Sequence, residues 1–266
     1  MNLRGWDYTG RNVSKDLHSQ FRRMVDCLSD KSFVKHRTWG NPIQDDLAAS
    51  LGVSSSGAIR TIKKIFEDFG FINPDALNSR TEIDSRKILT KRGQMIYYLS
   101  KLEKSIDESS TLSEEDRKES EIRIKGMYEE AYCDVLKEYY YVNEDGSRLM
   151  PLRATIRAIE RYGRLDKWEW YLMNTIIRHD DNANEEALLD EYINKYRNEA
   201  IHFNMSNVVE KPKGHQYIPQ YFEFAGLCKV VQRPDWSISL SGKHSEVVEE
   251  IMSSDYLDKL YQGGAQ

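Results

Sequence analysis

Apolar side chains recur at helical spacing through most of the chain. Leu17, Phe21, Met24, Val25 and Leu28 form one stripe behind a possible N-cap, Ser14, which predicts a helix over about 15–28. The breaker pair Asn41-Pro42 precedes a second helix over about 43–51. Beyond Gly52, Ile59, Ile62, Phe66 and Phe69 recur at spacings of three, four and three. Ser55 or Ser56 stands as N-cap to this third helix and Gly70 as its stop, while Arg60, Lys63, Lys64 and Glu67 lie off the stripe. Phe71-Ile72 and 87–89 read as short strands around a polar loop at 74–86, and Thr90 caps a further helix to about 104. Three helices, a two-stranded wing and a closing helix describe a winged helix, whose third helix enters a major groove.

A long helix is predicted over about 114–140, with Ile124, Met127, Tyr128, Ala131, Tyr132, Val135 and Leu136 on its apolar side. Tyr139, Tyr140 and Tyr141 are assigned to packing at its end rather than to base stacking. The C-terminal part repeats the logic of the first. One helix opens at Pro151 and stops at Gly163, and a second turns Trp168, Tyr171, Leu172 and Ile176 inward. "NEEALLDEYINKYRNEAI" gives a third helix and "QYFEFAG" a short one. "LCKVVQRPDWSISL" reads as a hairpin turning at Arg233-Pro234-Asp235, and Ser241 or Ser245 caps the last helix. The expected fold is therefore mainly α with small β-wings. Two winged-helix (helix-turn-helix) subdomains, 1–104 and 150–266, flank an acidic linker and long connecting helix at 105–149.

Charge changes the picture. The chain is acidic, with 38 basic and 43 acidic side chains, but residues 1–104 hold 18 basic against 12 acidic. The stretch 105–121 alone carries seven acids and two bases. An excess of positive charge around the candidate reading helix points to a polyanionic partner. Three dispersed cysteines without CxxC spacing argue against a disulfide framework or zinc ribbon and for a reducing compartment. No apolar run approaches a membrane span and the polar start does not read as a signal peptide, so a cytoplasmic location is expected.

Other chemistries find little support. The six histidines show no HxxxH or HExxH spacing, and there is neither a Walker loop nor GxGxxG. His179, Asp180 and Asp181 sit at a helix-helix junction, where capping is the expected use. Pro-Asp occurs at Pro74-Asp75 and Pro234-Asp235, and an acid two residues before a lysine occurs at Asp116-Arg117-Lys118. That triplet falls in the linker or a helix start, not on a buried strand beside a second carboxylate.

The order of parts resembles the N-terminal DNA-recognition region of type IIS restriction endonucleases of the FokI and AlwI kind, including related nicking enzymes. Gly5-Trp6 followed by "GRNVSKDLHSQFRRMVDCL" resembles the family's aromatic arm and opening helix. "AIRTIKKIFEDFGFI" with "RKILTKRGQMI" is similar to its helix, wing and closing helix. "MPLRATIRAIERYGRLDKWEWYLM" and "YFEFAGLCKVVQRPDWSISLSGKHSEVVEEI" resemble the second subdomain. The resemblance covers most of the chain and implies sequence-specific recognition of double-stranded DNA by a monomer on a short asymmetric site.

The base-reading residues it implies are Arg11, Asn12 and Lys15 of the arm, and Ser55, Ser56, Arg60 and Lys63 of the reading helix. Arginine reads guanine O6/N7 and asparagine reads adenine N6/N7, each through two hydrogen bonds. Arg4, Lys31, Lys35, Arg37, Lys64 and Arg80 are expected on phosphates. So are Lys211, Lys213, His215, Gln216, Gln220 and Arg233, around the second helix and wing. The family's metal-dependent nuclease half is absent from the pattern, so the chain is expected to carry no cofactor. Mg²⁺ belongs to the parent enzyme's nuclease, on a further C-terminal domain or a separate subunit. Two alternatives remain open. One is a stand-alone dimeric winged-helix regulator on a palindrome; the other is an atypical complete Mg²⁺-dependent endonuclease using Asp75, Asp116 and Lys118.

Overall fold

The computed structural model describes residues 1–6, 10–35, 37–143, 145–209 and 213–263, and is mainly helical with small antiparallel sheets. The chain divides into two compact units: Thr9–Tyr132, and Met1–Tyr8 together with Cys133–Gln266.

In the first unit, the Ser14 hydroxyl accepts from the Leu17 N–H and starts α1 (Lys15–Ser29). The five apolar residues of its expected stripe are all buried. A short α2 (Lys31–Val34) follows that the periodicity does not predict. The Asp30 carboxylate nucleates it locally by accepting from the Ser32 N–H at 2.8 Å. Helix α3 (Asn41–Leu51) ends at Gly52, whose φ of 68° lets its N–H reach back to the carbonyls of Ala48 and Ala49. Helix α4 (Ser56–Asp68) buries Ile59, Ile62, Ile65 and Phe66 on one face, with the Phe66 ring stacked 3.9 Å from Phe21 of α1.

Beyond Gly70 the chain forms antiparallel bridges at Ile72 to Leu89 and Thr38 to Glu82. The expected strand over 87–89 is reduced to its last residue. Asp84 accepts from the Arg86 N–H and winds Ser85–Lys87 into a 3-10 turn. Thr90 caps α5 (Lys91–Glu108), accepting from the Gly93 N–H and donating to the Gly70 carbonyl. Gly93 packs against the Phe71 carbonyl, where any Cβ would collide.

The acidic stretch 105–121 is not an extended linker. Helix α5 continues to Glu108 and α6 (Glu114–Glu138) begins six residues later. Arg117 folds back to donate to the carbonyls of Ile106, Asp107 and Ser109, supplying the partners that the end of α5 lacks. The division between units falls inside α6, after Tyr132, rather than at either end of the 105–149 segment.

In the second unit, α6 gives way to a hairpin of β1 (Tyr141–Val142) and β2 (Arg148–Leu149), two residues before the predicted helix end. Helix α7 (Pro151–Tyr162), β3 (Leu165–Asp166), α8 (Lys167–Ile176) and α9 (Ala183–Arg197) follow. Asp166 and Glu169 form a capping box on α8. Helix α10 (Lys213–Phe224) is longer than the seven residues predicted and contains Pro219. The hairpin of β4 (Cys228–Val231) and β5 (Ser237–Leu240) accepts β3 as a third strand, in the order β3-β5-β4. Ile238 sits opposite both Leu165 and Val230. Helices α11 (Ser245–Met252) and α12 (Tyr256–Gly263) close the unit, α11 without a side-chain cap from either expected serine.

Residues 1–6 are part of this second unit, not the free start of an arm on the first. Leu3 exchanges backbone hydrogen bonds with Asn207 and Val209, and Trp6 donates its indole N–H to the Ile177 carbonyl at 2.7 Å. Burial of Leu3 and Trp6 explains the placement: both side chains have almost no exposed surface.

Candidate nucleic-acid interface

In the first unit, α4 is amphipathic. Its buried face fixes it on α1 and α3, and its other face carries Ser55, Arg60 and Lys64 exposed, with Ser56 and Lys63 half-buried. The charges on that face are not equivalent. Lys63 pairs with Glu67 at 2.8 Å, and Lys64 pairs with Asp68. Arg60 has no ion-pair partner among the described residues. The Ser55 side chain makes no capping hydrogen bond, so its hydroxyl is uncommitted among the described residues.

The arm residues separate in the same way. Asn12 is exposed and uncommitted among the described residues. Arg11 is half-buried and donates to Gln20 at 2.6 Å. Lys15 is tied to Asp107 at 2.7 Å and Glu103 at 3.9 Å. Burial would lower the Lys15 pKa, but the hydrogen bond to Asp107 and the two carboxylate charges outweigh it and hold it above the ordinary lysine value.

Among the expected phosphate contacts, Lys31, Lys35 and Arg80 are exposed without an ion-pair partner among the described residues. Arg37 is half-buried, pairs with Asp46 at 2.8 Å, and lies over the Phe33 ring. Backbone bonds from Ile83 to Arg37 and from Trp39 to Asn78 lay 37–39 antiparallel to 78–83, so Arg37 and Arg80 ride on paired segments. Arg23 was not anticipated. Its guanidinium donates to the carbonyls of Ser50 and Leu51, closing the end of α3 just before the turn into α4. The signal for it is a basic residue one helix away from a helix C-terminus, which sequence spacing cannot register.

No protein-family model and no curated protein matches the chain.

The second unit offers fewer of its expected contacts. Arg4, Gln216 and Arg233 are exposed, Arg233 at the turn of the β4–β5 hairpin. Gln220 is half-buried and donates to the Gln216 carbonyl at 3.2 Å. Lys211 lies outside the described residues, and Lys213 opens α10. His215 is a correction. Its ring stacks on Tyr171 at 3.8 Å, lies against Gly5 and is only 3% exposed, so it belongs to the core and cannot reach a phosphate. Burial, then the Arg178 charge, push its pKa down to about 3, which keeps the ring neutral.

The same unit contains a cleft of about 670 Å³ that spacing alone did not single out. Arg153, Arg157 and Arg161 stand at successive turns of α7 along one wall. They interlock with Asp181, Glu186 and Asp190, the last also accepting from the Tyr162 hydroxyl. Residues 179–182 serve this junction. Asp180 accepts from the Met150 N–H at the start of α7, Asn182 caps α9, and His179 pairs with Glu185 and Asp145. Positive and negative groups neutralise each other here, so the ladder reads as a clasp between α7 and α9.

Asp116 and Lys118 lie exposed in the first turns of α6, Asp116 accepting from the Ser113 hydroxyl and Lys118 facing Glu114 at 3.6 Å. Among the described residues, no three His, Cys, Asp or Glu side chains are grouped to hold a metal, and no helix is long and apolar enough to cross a membrane.

Proposed function

We propose that this chain is a sequence-specific duplex-DNA recognition module of the type IIS restriction or nicking kind. In this reading, Thr9–Tyr132 is a winged-helix reader and α4 lies in the major groove. The observation that carries the reading is the division of labour on α4. Four buried apolar residues anchor one face, and the exposed face presents an arginine whose guanidinium meets no carboxylate among the described residues. Arg60, Asn12 and Ser55 are the base readers. Lys31, Lys35 and Arg80 are the free phosphate contacts. Lys15, Lys64 and the half-buried Arg37 join them only by exchanging a carboxylate for a phosphate, an exchange that is cheap for an exposed lysine, whose surface ion pairs are worth about 0–1 kcal/mol. Lys63, half-buried with Glu67, contributes least. Arg233 on its hairpin turn makes the second unit's contact. Strand cleavage, with its Mg²⁺, is assigned to another segment or subunit, in the cytoplasm.

A dimeric regulator is the second reading. Met95, Tyr98 and Leu102 of α5 stand 43%, 62% and 47% exposed at spacings of three and four, a seam suited to helix pairing. Binding-site selection from random duplexes, followed by sedimentation of the complex, separates the two. A short non-palindromic site bound by one chain is expected. A palindrome bound by two chains transfers the function to the second reading, and absence of any selected sequence refutes both.

A further inference from the structure

Within α4, Gly57 has no reason of its own fold to be glycine. Glycine disfavours helix, and the usual compensations are a positive φ or a close packing contact. Gly57 shows no positive φ. A Cβ built there would meet only the Ser55 Oγ at 3.3 Å and a terminal guanidinium nitrogen of Arg60 at 3.9 Å. Both are ends of exposed, rotatable side chains. Gly93, which the Phe71 carbonyl obliges to be glycine, shows what a packing requirement looks like in the same unit.

Empty surroundings alone assign nothing. A Cβ at Gly126, inside α6, would meet nothing within 4 Å among the described residues beyond its own helix backbone and chain neighbours. Gly57 differs in its two neighbours. The Ser55 hydroxyl makes no cap bond and the Arg60 guanidinium makes no ion pair among the described residues, yet both polar ends border the space a methyl group would take. Thr61 donates to the Gly57 carbonyl at 3.0 Å, which holds this stretch of backbone in place beneath them.

We infer that Gly57 is a positioning residue for base recognition, its missing side chain keeping open the space in which Arg60 and Ser55 meet the edge of a base pair in duplex DNA. The inference rests on the duplex-reading function proposed above. A methyl group at this position crowds the Ser55 hydroxyl at 3.3 Å, stands in van der Waals contact with the Arg60 guanidinium at 3.9 Å, and fills the space through which both reach the edge of a base pair. Glycine at Gly57 thus sacrifices helix stability for approach, which gives the substitution two effects of opposite sign.

The test uses the full chain, its selected duplex and a scrambled duplex, with Gly57→Ala and Gly126→Ala compared by fluorescence anisotropy and thermal unfolding. Both substitutions are expected to raise the unfolding midpoint or leave it unchanged. Gly57→Ala is expected to weaken binding to the selected duplex about tenfold, with scrambled-duplex binding retained. Gly126→Ala is expected to bind both as the wild type does. If Gly57→Ala keeps wild-type affinity and discrimination while the wild type reads its site, the inference is wrong and the recognition function stands. A lowered unfolding midpoint for Gly57→Ala would instead show a packing role and overturn it. If the wild type prefers no duplex, the recognition function itself fails and the inference goes with it.

Discussion

Arg60 and Lys63 lie three residues apart on the same helix, and their surroundings assign them different work. The Lys63 ammonium is held by Glu67, whereas the Arg60 guanidinium meets no acid among the described residues. Arg60→Ala is therefore expected to cost about 1–3 kcal/mol of discrimination at one base pair of the selected site. Lys63→Ala should change discrimination little. Affinities for the site and its single-base variants measure both, and uniform weakening by Arg60→Ala on every sequence would reduce it to a phosphate contact. Asn12→Ala should likewise relax one base pair.

The buried histidines make a separate prediction at this scale. Burial lowers His18, stacked on Tyr128 at 4.2 Å and hydrogen-bonded to the Tyr132 hydroxyl, to about 3 from an ordinary 6.5. His215 behaves alike. Below 6.5 the unfolded chain takes up protons that the folded chain refuses. Stability from these two groups is thus complete above pH 6.5 and falls as the pH drops toward 3. Denaturant midpoints measured against pH should show that decline. Imidazole resonances of both rings titrating near 6.5 would contradict it.

At the scale of elements, ion pairs divide by burial. Arg153 has a side chain only 5% exposed, binds Asp181 through two nitrogens, and also donates to the carbonyls of Ile251 and Ser253. Arg153→Ala strands these acceptors and should destabilise the chain by about 3 kcal/mol. Lys195→Ala, which removes an exposed pair with Glu191 on α9, should leave stability unchanged. Urea unfolding of the two variants checks the contrast.

The elements were also where the sequence was most legible. Stripes at helical spacing located α1 and α4, because each writes its buried face into its own residues, while the Asn41-Pro42 breaker, Gly52 and the Thr90 cap located α3, its turn and α5. The hairpin β4–β5 was legible for the same reason. What escaped was decided by partners remote in sequence. The bridge of Leu3 to Val208 captured residues 1–6, and the stacking of His215 on Tyr171 took a polar side chain into the core. The β1–β2 hairpin and α2 are only a few residues long, too short for periodicity to register. In the candidate site, residue types were readable, but commitments were not. Nothing in the spacing separates Lys15, which is paired, from Lys35, which has no ion-pair partner among the described residues.

For the whole molecule, the asymmetry of charge gives the proposed recognition of DNA a salt signature. Residues 1–104 carry the basic excess, while 105–121 and the rest of the chain carry the acid. Each phosphate neutralised releases counterions, so the slope of log K against log salt is about −0.9 per contact. Lys31→Ala, Lys35→Ala and Arg80→Ala should each lower the magnitude of that slope by about 1, with sequence preference unchanged. In the proposed function this acidic chain reads a sequence rather than merely adhering to a polyanion. The most direct measurement is competition between the selected duplex and a scrambled duplex of equal length at physiological salt. A preference of about 10³ or more for the selected duplex is expected; equal affinity for the two duplexes would refute sequence reading.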